Sequence, residues 1–222
     1  MENFVKRIKL TYVNCYLVKA REGFVLIDSG YPSKLSSLEE ELISEGVKPG
    51  NLTLIIITHG DFDHIGNCVY LRDKYKSKIL MHSMEAKTVE SGDMTYNRKA
   101  KTDKHSLFFR LISSFGGSEK YQGFSPDLIV SDNEDLTIYG FDAKIILIPG
   151  HTKGSIGVYT QEGNFFCGDL LKNYRKPSLH FFIDDMSSAR ESINTLINLG
   201  VKKIFPGHGK PFLMEEFLKR YK

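Results

Sequence analysis

Four side chains that can bind a metal ion fall within six residues of this sequence. The run HGDFDH at 59–64 follows an apolar segment at 52–58 that is typical of a buried strand, and it supplies His59, Asp61, Asp63 and His64. Because side chains alternate along an extended chain, a corner between this strand and a helix can aim two groups at one point and two at a neighbouring point. Imidazole and carboxylate together favour Zn, Mn or Fe over Ca or Mg.

Three further candidate ligands are each predicted to follow a strand, with a glycine beside them. They are His151 in PGHTKGS, Asp169 in FCGD and His208 in PGHG. Glycine lets the backbone turn sharply and leaves room for an ion. A lone histidine or aspartate at such a position is more commonly a core or turn residue. Their joint occurrence, in this order and at strand ends, favours a single metal site.

In this pattern the sequence resembles the metallo-β-lactamase superfamily of metal-dependent hydrolases. The signature of that family is H-x-H-x-D-H after a strand, then a histidine, an aspartate and a last histidine. The resemblance extends from FVLIDSG at 24–30 to PGHGKPF at 206–212. It implies an α/β fold, a four-layer αββα sandwich of two mixed β-sheets flanked by helices.

The resemblance also implies a ligand set for two divalent metal ions, with Zn first and Fe or Mn as alternatives. One ion would be held by His59, the residue at 61 and His151. The other would be held by Asp63, His64 and His208, and Asp169 would bridge the two ions. A hydroxide bridging the ions would cleave a small ester, thioester, lactone or phosphodiester. Asp63 would be both a ligand and the catalytic proton acceptor.

Asp61 departs from the family signature, which has a histidine there. A carboxylate adds negative charge and shifts the preference toward Fe or Mn, or weakens that metal position, or leaves Asp61 outside the ligand set. Flavodiiron proteins carry a carboxylate at this position, so an iron-dependent oxidoreductase is the alternative function. Those proteins have a flavodoxin domain, for which 222 residues leave no room. A metal-binding protein without catalysis is a third hypothesis.

The residues around this pattern suggest further roles. Asp28, after the strand predicted at 23–28, either orients a metal-binding histidine or caps the loop before the first helix. The basic residues at 172–176 and 98–110 indicate an anionic small-molecule substrate, although ordinary surface charge explains them equally well. His82, His105 and His180 match no family position, and we predict that they are not ligands.

Composition excludes several classes of protein. The formal net charge of +3 argues against a dedicated nucleic-acid or membrane-surface binder. Cys15, Cys68 and Cys167 cannot form a disulfide framework and indicate a reducing compartment. The amino-terminal residues lack a signal-peptide pattern, and no apolar run approaches the ~20 residues that span a membrane, so we expect a cytoplasmic protein. The sequence leaves the oligomeric state open.

The elements that position these residues alternate along a single predicted domain, 1–222, with a basic and aromatic insertion at about 91–126. Strands are predicted at 4–11, 13–19, 23–28, 52–58, 78–82, 127–130, 136–139, 143–148, 155–160, 163–168 and 202–205. Helices are predicted at 33–46, 65–75, 83–90, 104–115, 187–199 and 213–220, with Ser188 as a candidate cap for the fifth. Each half of the chain also runs hairpin, helix, strand and histidine loop, which suggests two similar layers meeting at one site.

Overall fold

The computed structural model describes residues 4–96, 98 and 121–221. Its strands are β1 (Val5–Leu10), β2 (Val13–Ala20), β3 (Gly23–Ile27), β4 (Leu52–Ile56), β5 (Lys78–His82), β6 (Leu128–Val130), β7 (Ala143–Leu147), β8 (Ile156–Thr160), β9 (Asn164–Asn173), β10 (Ser178–Leu179), β11 (Lys203–Gly209) and β12 (Phe212–Leu213). Its helices are α1 (Leu35–Ser44), α2 (Phe62–Ile65), α3 (Cys68–Tyr75), α4 (Ser83–Ser91), α5 (Met186–Asn198) and α6 (Met214–Leu218). None of these helices has the length and apolar character that crossing a bilayer requires.

The strands form two halves that meet along β2 and β11. The first half has the order β6-β5-β4-β3-β2, and the second half has the order β11-β9-β8-β7. Parallel pairs join β3 to β4, β4 to β5, β5 to β6 and β9 to β11, whereas the remaining pairs are antiparallel. The halves are connected by the pairing of His208 in β11 with Val13 in β2.

In each half of the structure, helices pack against the face of the strands that points away from the other half. Along β2, side chains alternate between two cores, as the pleat of a strand requires. Cys15 and Leu17 point into a core that includes Leu38 of α1. Tyr16 and Val18 point into a different core, which lies between the two halves.

The second half repeats this arrangement with its own helices. Phe166 of β9 contributes to the core between the halves. Its neighbours Phe165 and Cys167 join a third core that includes Ile193 and Leu196 of α5. Three cores therefore separate four layers, which confirms the predicted αββα architecture.

Both halves contain the hairpin, helix, strand and histidine loop expected from the sequence. In the first half, β2 and β3 form the hairpin, and α1 leads to β4 and then to His59. In the second half, β8 and β9 form the hairpin, and α5 leads to β11, which contains His208. The two histidine segments consequently meet at the junction of the halves.

One predicted element is wrong and another is interrupted. The strand at 136–139 is a turn of 3₁₀ helix over Thr137–Tyr139, which ends at the left-handed Gly140. The helix at 65–75 is divided into α2 and α3 because the amide of Asn67 donates to the backbone oxygens of Ser29 and Tyr31. This cross-link holds the chain between the two helices against the loop after β3. The predicted helix at 104–115 lies outside the described residues.

The cap of α5 is Asp185 rather than the predicted Ser188. The Asp185 carboxylate accepts hydrogen bonds from the amides of Ser187 and Ser188, at 2.9 and 3.1 Å. An aspartate at this position satisfies amides that have no partner within the helix.

Replacing this cap should reduce stability measurably. We expect Asp185→Ala to lower the free energy of unfolding by about 1 kcal/mol, because two amides lose their acceptor. Ser188→Ala should change it by less than about 0.5 kcal/mol. Urea denaturation of both variants measures the difference, and an equal loss in the two would contradict the assignment.

Candidate metal centre

The run HGDFDH spans the corner between β4 and α2. His59 follows the strand, and Asp61 is the residue that precedes the helix. Asp63 and His64 lie inside the first turn of α2. Because the backbone changes from extended to helical here, His59 and Asp61 lie at one point and Asp63 and His64 at a neighbouring point, as the spacing predicted.

The other three candidates come from the second half of the chain. His151 lies in the loop between β7 and β8. Asp169 and His208 lie inside β9 and β11 rather than after them, because both strands continue beyond their predicted ends. The pairing of β9 with β11 is irregular on either side of Pro206, and this irregularity accompanies the approach of the two side chains to one point.

His59, Asp61 and His151 form a first group. The Asp61 Oδ2 atom lies 3.6 Å from His59 Nε2 and 3.1 Å from His151 Nε2. Their potential ligand atoms all lie within 4.8 Å of one another, which is close enough to surround one ion. All three side chains are buried or nearly so.

Asp63, His64 and His208 form a second group, and Asp169 faces both groups. Asp63 Oδ2 lies 3.4 Å from His208 Nε2. Asp169 approaches His64 Nε2 at 3.4 Å and His208 Nε2 at 3.1 Å. It also lies 3.9 Å from Nε2 of His151, which belongs to the first group. The structure thus brings all seven predicted residues together.

The histidines present Nε2 to the centre because Nδ1 is engaged elsewhere. The partners of the Nδ1 atoms are Thr58 Oγ1 for His59, Asp28 Oδ2 for His64, the Phe182 carbonyl for His151, and the Tyr12 carbonyl for His208. Such contacts fix the tautomer and the ring orientation of a metal-binding histidine. Each ring can therefore offer the lone pair of Nε2 to a metal ion.

Several atoms in the centre have no hydrogen-bond partner among the described residues. The Nε2 atoms of His59 and His64 and the Oδ1 atom of Asp169 are buried without a hydrogen bond. Leaving buried polar atoms unsatisfied costs about 1–3 kcal/mol each. A cation among these atoms would satisfy them, so the residues fit a metal ion in both chemistry and placement.

Charge in the centre favours ionised carboxylates. Burial alone would raise the pKa of Asp169, but His208 and His64 beside it hold that pKa well below its usual value. Burial likewise opposes ionisation of Asp61, yet Arg98 and His151 keep its pKa well below the usual range. Both side chains are therefore anions that require positive charge nearby.

Asp28 orients the centre rather than only capping a loop. Its carboxylate contacts His64 Nδ1 at 2.8 Å and accepts hydrogen bonds from the amide and hydroxyl of Thr58 at 2.9 Å. Thr58 in turn contacts His59 Nδ1 at 3.0 Å. One carboxylate thus supports a histidine in each group. Asp28 has a left-handed backbone with φ of +59°.

Glu85 is a supporting residue that the sequence analysis missed. This buried side chain of α4 accepts hydrogen bonds from the amide of Gly60 at 2.7 Å and the hydroxyl of Thr152 at 2.8 Å. It joins the loops that carry His59 and His151. A glutamate in the first turn of a helix is ordinary, so its sequence position carried no signal.

Arg98 is the second residue that the sequence analysis missed as part of the centre. Its Nη2 atom donates to both carboxylate oxygens of Asp61, at 2.6 Å for Oδ2. Its Nη1 atom donates to the His151 carbonyl and to Asp184, each at 3.3 Å. Arg98 lies in the basic segment 98–110, and the sequence pattern there indicates no partner for it. Residues 97 and 99–120 of the predicted insertion lie outside the described residues.

His180 lies at the centre although it matches no family position. Its Nε2 atom is 3.5 Å from Asp169 Oδ2, and its ring stacks on His208 with centroids 5.2 Å apart. Burial is the main cause that lowers the pKa of His180 to about 3, so the ring is neutral. With His151 and Asp169 it forms a further group of potential ligands. By contrast, His82 accepts a hydrogen bond from the amide of Met84 at the start of α4, and His105 lies outside the described residues.

Comparison with known proteins gives a consistent result. A family model described as the metallo-beta-lactamase superfamily matches residues 8–208. The chain is 28% identical over 201 residues to the probable metallo-hydrolase MJ0888 of Methanocaldococcus jannaschii, covering 89% of this chain and 87% of that protein. It is 26% identical over 221 residues to the acyl-coenzyme A thioesterase MBLAC2 of Homo sapiens, covering 93% and 76%. The crystal structure of TTHA1623 in a di-iron-bound form matches with a TM-score of 0.72 and 24% identity, covering 98% and 97%.

Asp28 provides a test of how the centre is supported. We expect Asp28→Asn to weaken metal binding by about 10–100-fold, because His64 loses its charged acceptor while asparagine still tolerates the left-handed backbone. Titration of the apoprotein with Zn²⁺ against a chelating dye measures the affinity. The matched control is Asp73→Asn, at an exposed carboxylate that pairs with Arg72. Unchanged affinity in Asp28→Asn would show that Asp28 serves only the loop.

Proposed function

The chain belongs to the metallo-β-lactamase superfamily and is a metal-dependent hydrolase, and from this premise we propose that it cleaves small carbonyl esters, with thioesters favoured over lactones and phosphodiesters. The observation that carries the proposal is the position of Asp169, which faces both groups of histidines. Two positions that share one carboxylate suit a pair of divalent ions.

Metal ions held by these residues would acidify a water shared between them and polarise the carbonyl oxygen of the substrate. The chain itself supplies the orientation and the route for the proton. Of the two carboxylates beside His208, Asp169 is the more enclosed, with 4% of its side chain exposed against 13% for Asp63. Asp63 is therefore the more accessible of the two to water, and we assign it as the group that takes the proton from the attacking water.

Zn is the metal we expect first, with Fe or Mn as alternatives, because imidazole and carboxylate donors suit all three. The fold neighbour TTHA1623 has been crystallised with two irons, so an analysis of this chain must include iron. The alternative function, a di-iron oxidoreductase, depended on the carboxylate at position 61. Its pairing with Arg98 gives that carboxylate a role which requires no iron, so a carboxylate at position 61 does not by itself favour the oxidoreductase.

The rim beside the second group suggests the substrate class. Lys172 is almost buried, donates to Ser178 Oγ at 3.0 Å, and forms no ion pair among the residues that the structure describes. Its Nζ atom lies 3.6 Å from the centroid of the Phe181 ring, which stacks on Tyr174. Both rings are exposed, and the Tyr174 hydroxyl contacts His208 Nδ1. A cation beside exposed aromatic rings suits an anionic substrate with an apolar part, and the relative MBLAC2 is named as an acyl-coenzyme A thioesterase.

The function is tested with a panel of substrates. We expect protein purified without chelators to hydrolyse thioesters or esters in preference to lactones and phosphodiesters, and Asp63→Ala to lose at least about a hundredfold in kcat. Rates are divided by the metal content of each sample, so that lost metal is not mistaken for lost chemistry. Activity retained in Asp63→Ala would contradict the proton route. Two irons, an oxidised-state absorbance and no hydrolysis would favour the oxidoreductase.

The role of Lys172 gives a separate prediction. We expect Lys172→Ala to raise KM for a coenzyme A thioester by about tenfold or more, because a charged hydrogen bond contributes about 1.5–3 kcal/mol. The value of kcat should change little, and KM for a short neutral ester should stay constant. The matched control is Lys176→Ala, at an exposed lysine four residues away. Equal effects on the charged and neutral substrates would exclude anion recognition by Lys172.

A further inference from the structure

We propose that the guanidinium of Arg98 is a resident cation of the first metal position and competes there with a metal ion. The two positions of the centre would then bind metal with unequal affinity, the second position filling before the first. This inference rests on the proposed function only in so far as a metal binds at the centre.

The placement of Arg98 within the first group carries the inference. Its Nη2 atom contacts both oxygens of Asp61 and lies 3.4 Å from Nε2 of His151. These are the atoms that would bind an ion in this position. A neutral imidazole offers one lone pair, so His151 Nε2 cannot face a guanidinium N–H and a metal ion at the same time. The guanidinium and the ion are therefore alternatives for the same ligand atoms.

Arg98 is held in this position by contacts outside the ligand set. Its Nη1 atom donates to Asp184 and to the backbone carbonyl of His151, and only 8% of its side chain is exposed. The side chain of Asp184 is itself 5% exposed. An arginine that bridges two nearly buried carboxylates is a built feature of the centre, and its charge persists at any pH the protein tolerates.

The charges of the two groups explain why only one position has such a cation. A histidine at position 61 would be neutral, but Asp61 adds a buried negative charge that requires compensation. Arg98 supplies it. In the part of the chain that the structure describes, no arginine or lysine forms an ion pair with Asp63 or Asp169. An ion entering the second position displaces no arginine or lysine side chain, whereas one entering the first must displace the guanidinium of Arg98.

A competing explanation predicts the opposite sign. If Arg98 only orients Asp61 while that carboxylate binds the ion, removing Arg98 should weaken binding at the first position. If Arg98 competes with the ion, removing it should tighten binding there. The direction of the change therefore decides between the two.

The experiment is a Zn²⁺ titration of the chelator-treated apoprotein, with metal content measured again after desalting. We expect the unmodified chain to retain one ion through desalting and to bind a second weakly. Arg98→Met, which removes the charge but keeps an apolar side chain of some length, should tighten the weaker site by about ten- to a hundredfold, so that two ions are retained. Binding at the tighter site should stay constant.

Three further variants complete the test. Asp184→Asn, which weakens the anchor of Arg98, should shift the weaker site in the same direction by a smaller factor. Arg98→Lys, which keeps the charge without the forked geometry, should fall between the unmodified chain and Arg98→Met. The matched control Arg175→Ala, at an exposed arginine, should change neither site. Thermal unfolding establishes that each variant is folded, and Asp184→Asn and Arg98→Lys decide the matter if Arg98→Met does not fold.

Three outcomes would overturn the inference. They are two equally tight ions in the unmodified chain, weaker binding in Arg98→Met, and no metal binding at all. The titration measures metal rather than turnover, so its result is separate from that of the substrate panel. An inactive protein with two unequal sites would contradict the proposed hydrolase and leave the role of Arg98 standing.

Discussion

The burial of several carboxylates within a few ångströms of one another is the constraint on which the rest of this structure depends. Removing an anion from water costs several kcal/mol unless positive charge or donors replace the solvent. His64 and His208 lie beside Asp169, and Arg98 donates hydrogen bonds to Asp61. The same attraction outweighs burial and raises the pKa values of His64 and His208 well above the usual range for histidine. Positive charge on His64, His208 and Arg98 thus compensates the buried carboxylates.

The backbone must approach this centre closely, and glycine makes that approach possible. A Cβ atom on Gly207 would lie 2.4 Å from Asp169 Oδ1, a distance that real atoms do not adopt. Gly168 has a left-handed φ of +47°, and a Cβ there would lie 2.7 Å from Thr58 Oγ1. These two glycines belong to β9 and β11, the strands that bring the second half of the chain against the first. The glycines beside the ligands thus serve the packing of the two halves as well as the turning of the chain.

Local sequence patterns were sufficient to pick out the seven candidate residues, because they lie in one short run or beside glycines at the ends of predicted strands. The four-layer fold was predicted from the resemblance to the metallo-β-lactamase superfamily. Asp28 was also recognisable, since it follows a strand directly. The residues that were missed act across long separations. Glu85 bonds to the two loops that carry His59 and His151, and Arg98 bonds to a carboxylate 37 residues earlier in the chain. No periodicity encodes such contacts. The division of the predicted helix at 65–75 has the same origin, because Asn67 bonds to a loop more than thirty residues away.

The two sides of the centre differ, and the difference indicates how a substrate approaches. Beside the first group, Arg98 is nearly buried, and the Tyr121 hydroxyl donates to the Gly60 carbonyl at 3.1 Å. Beside the second group, Tyr12, Tyr174 and Phe181 are exposed, and the Tyr12 carbonyl contacts His208. Under the proposed function, a substrate that binds the exposed rings of Tyr174 and Phe181 therefore reaches the second group first. If the second position also holds metal more tightly, the substrate arrives at the position that is the first to bind a metal ion.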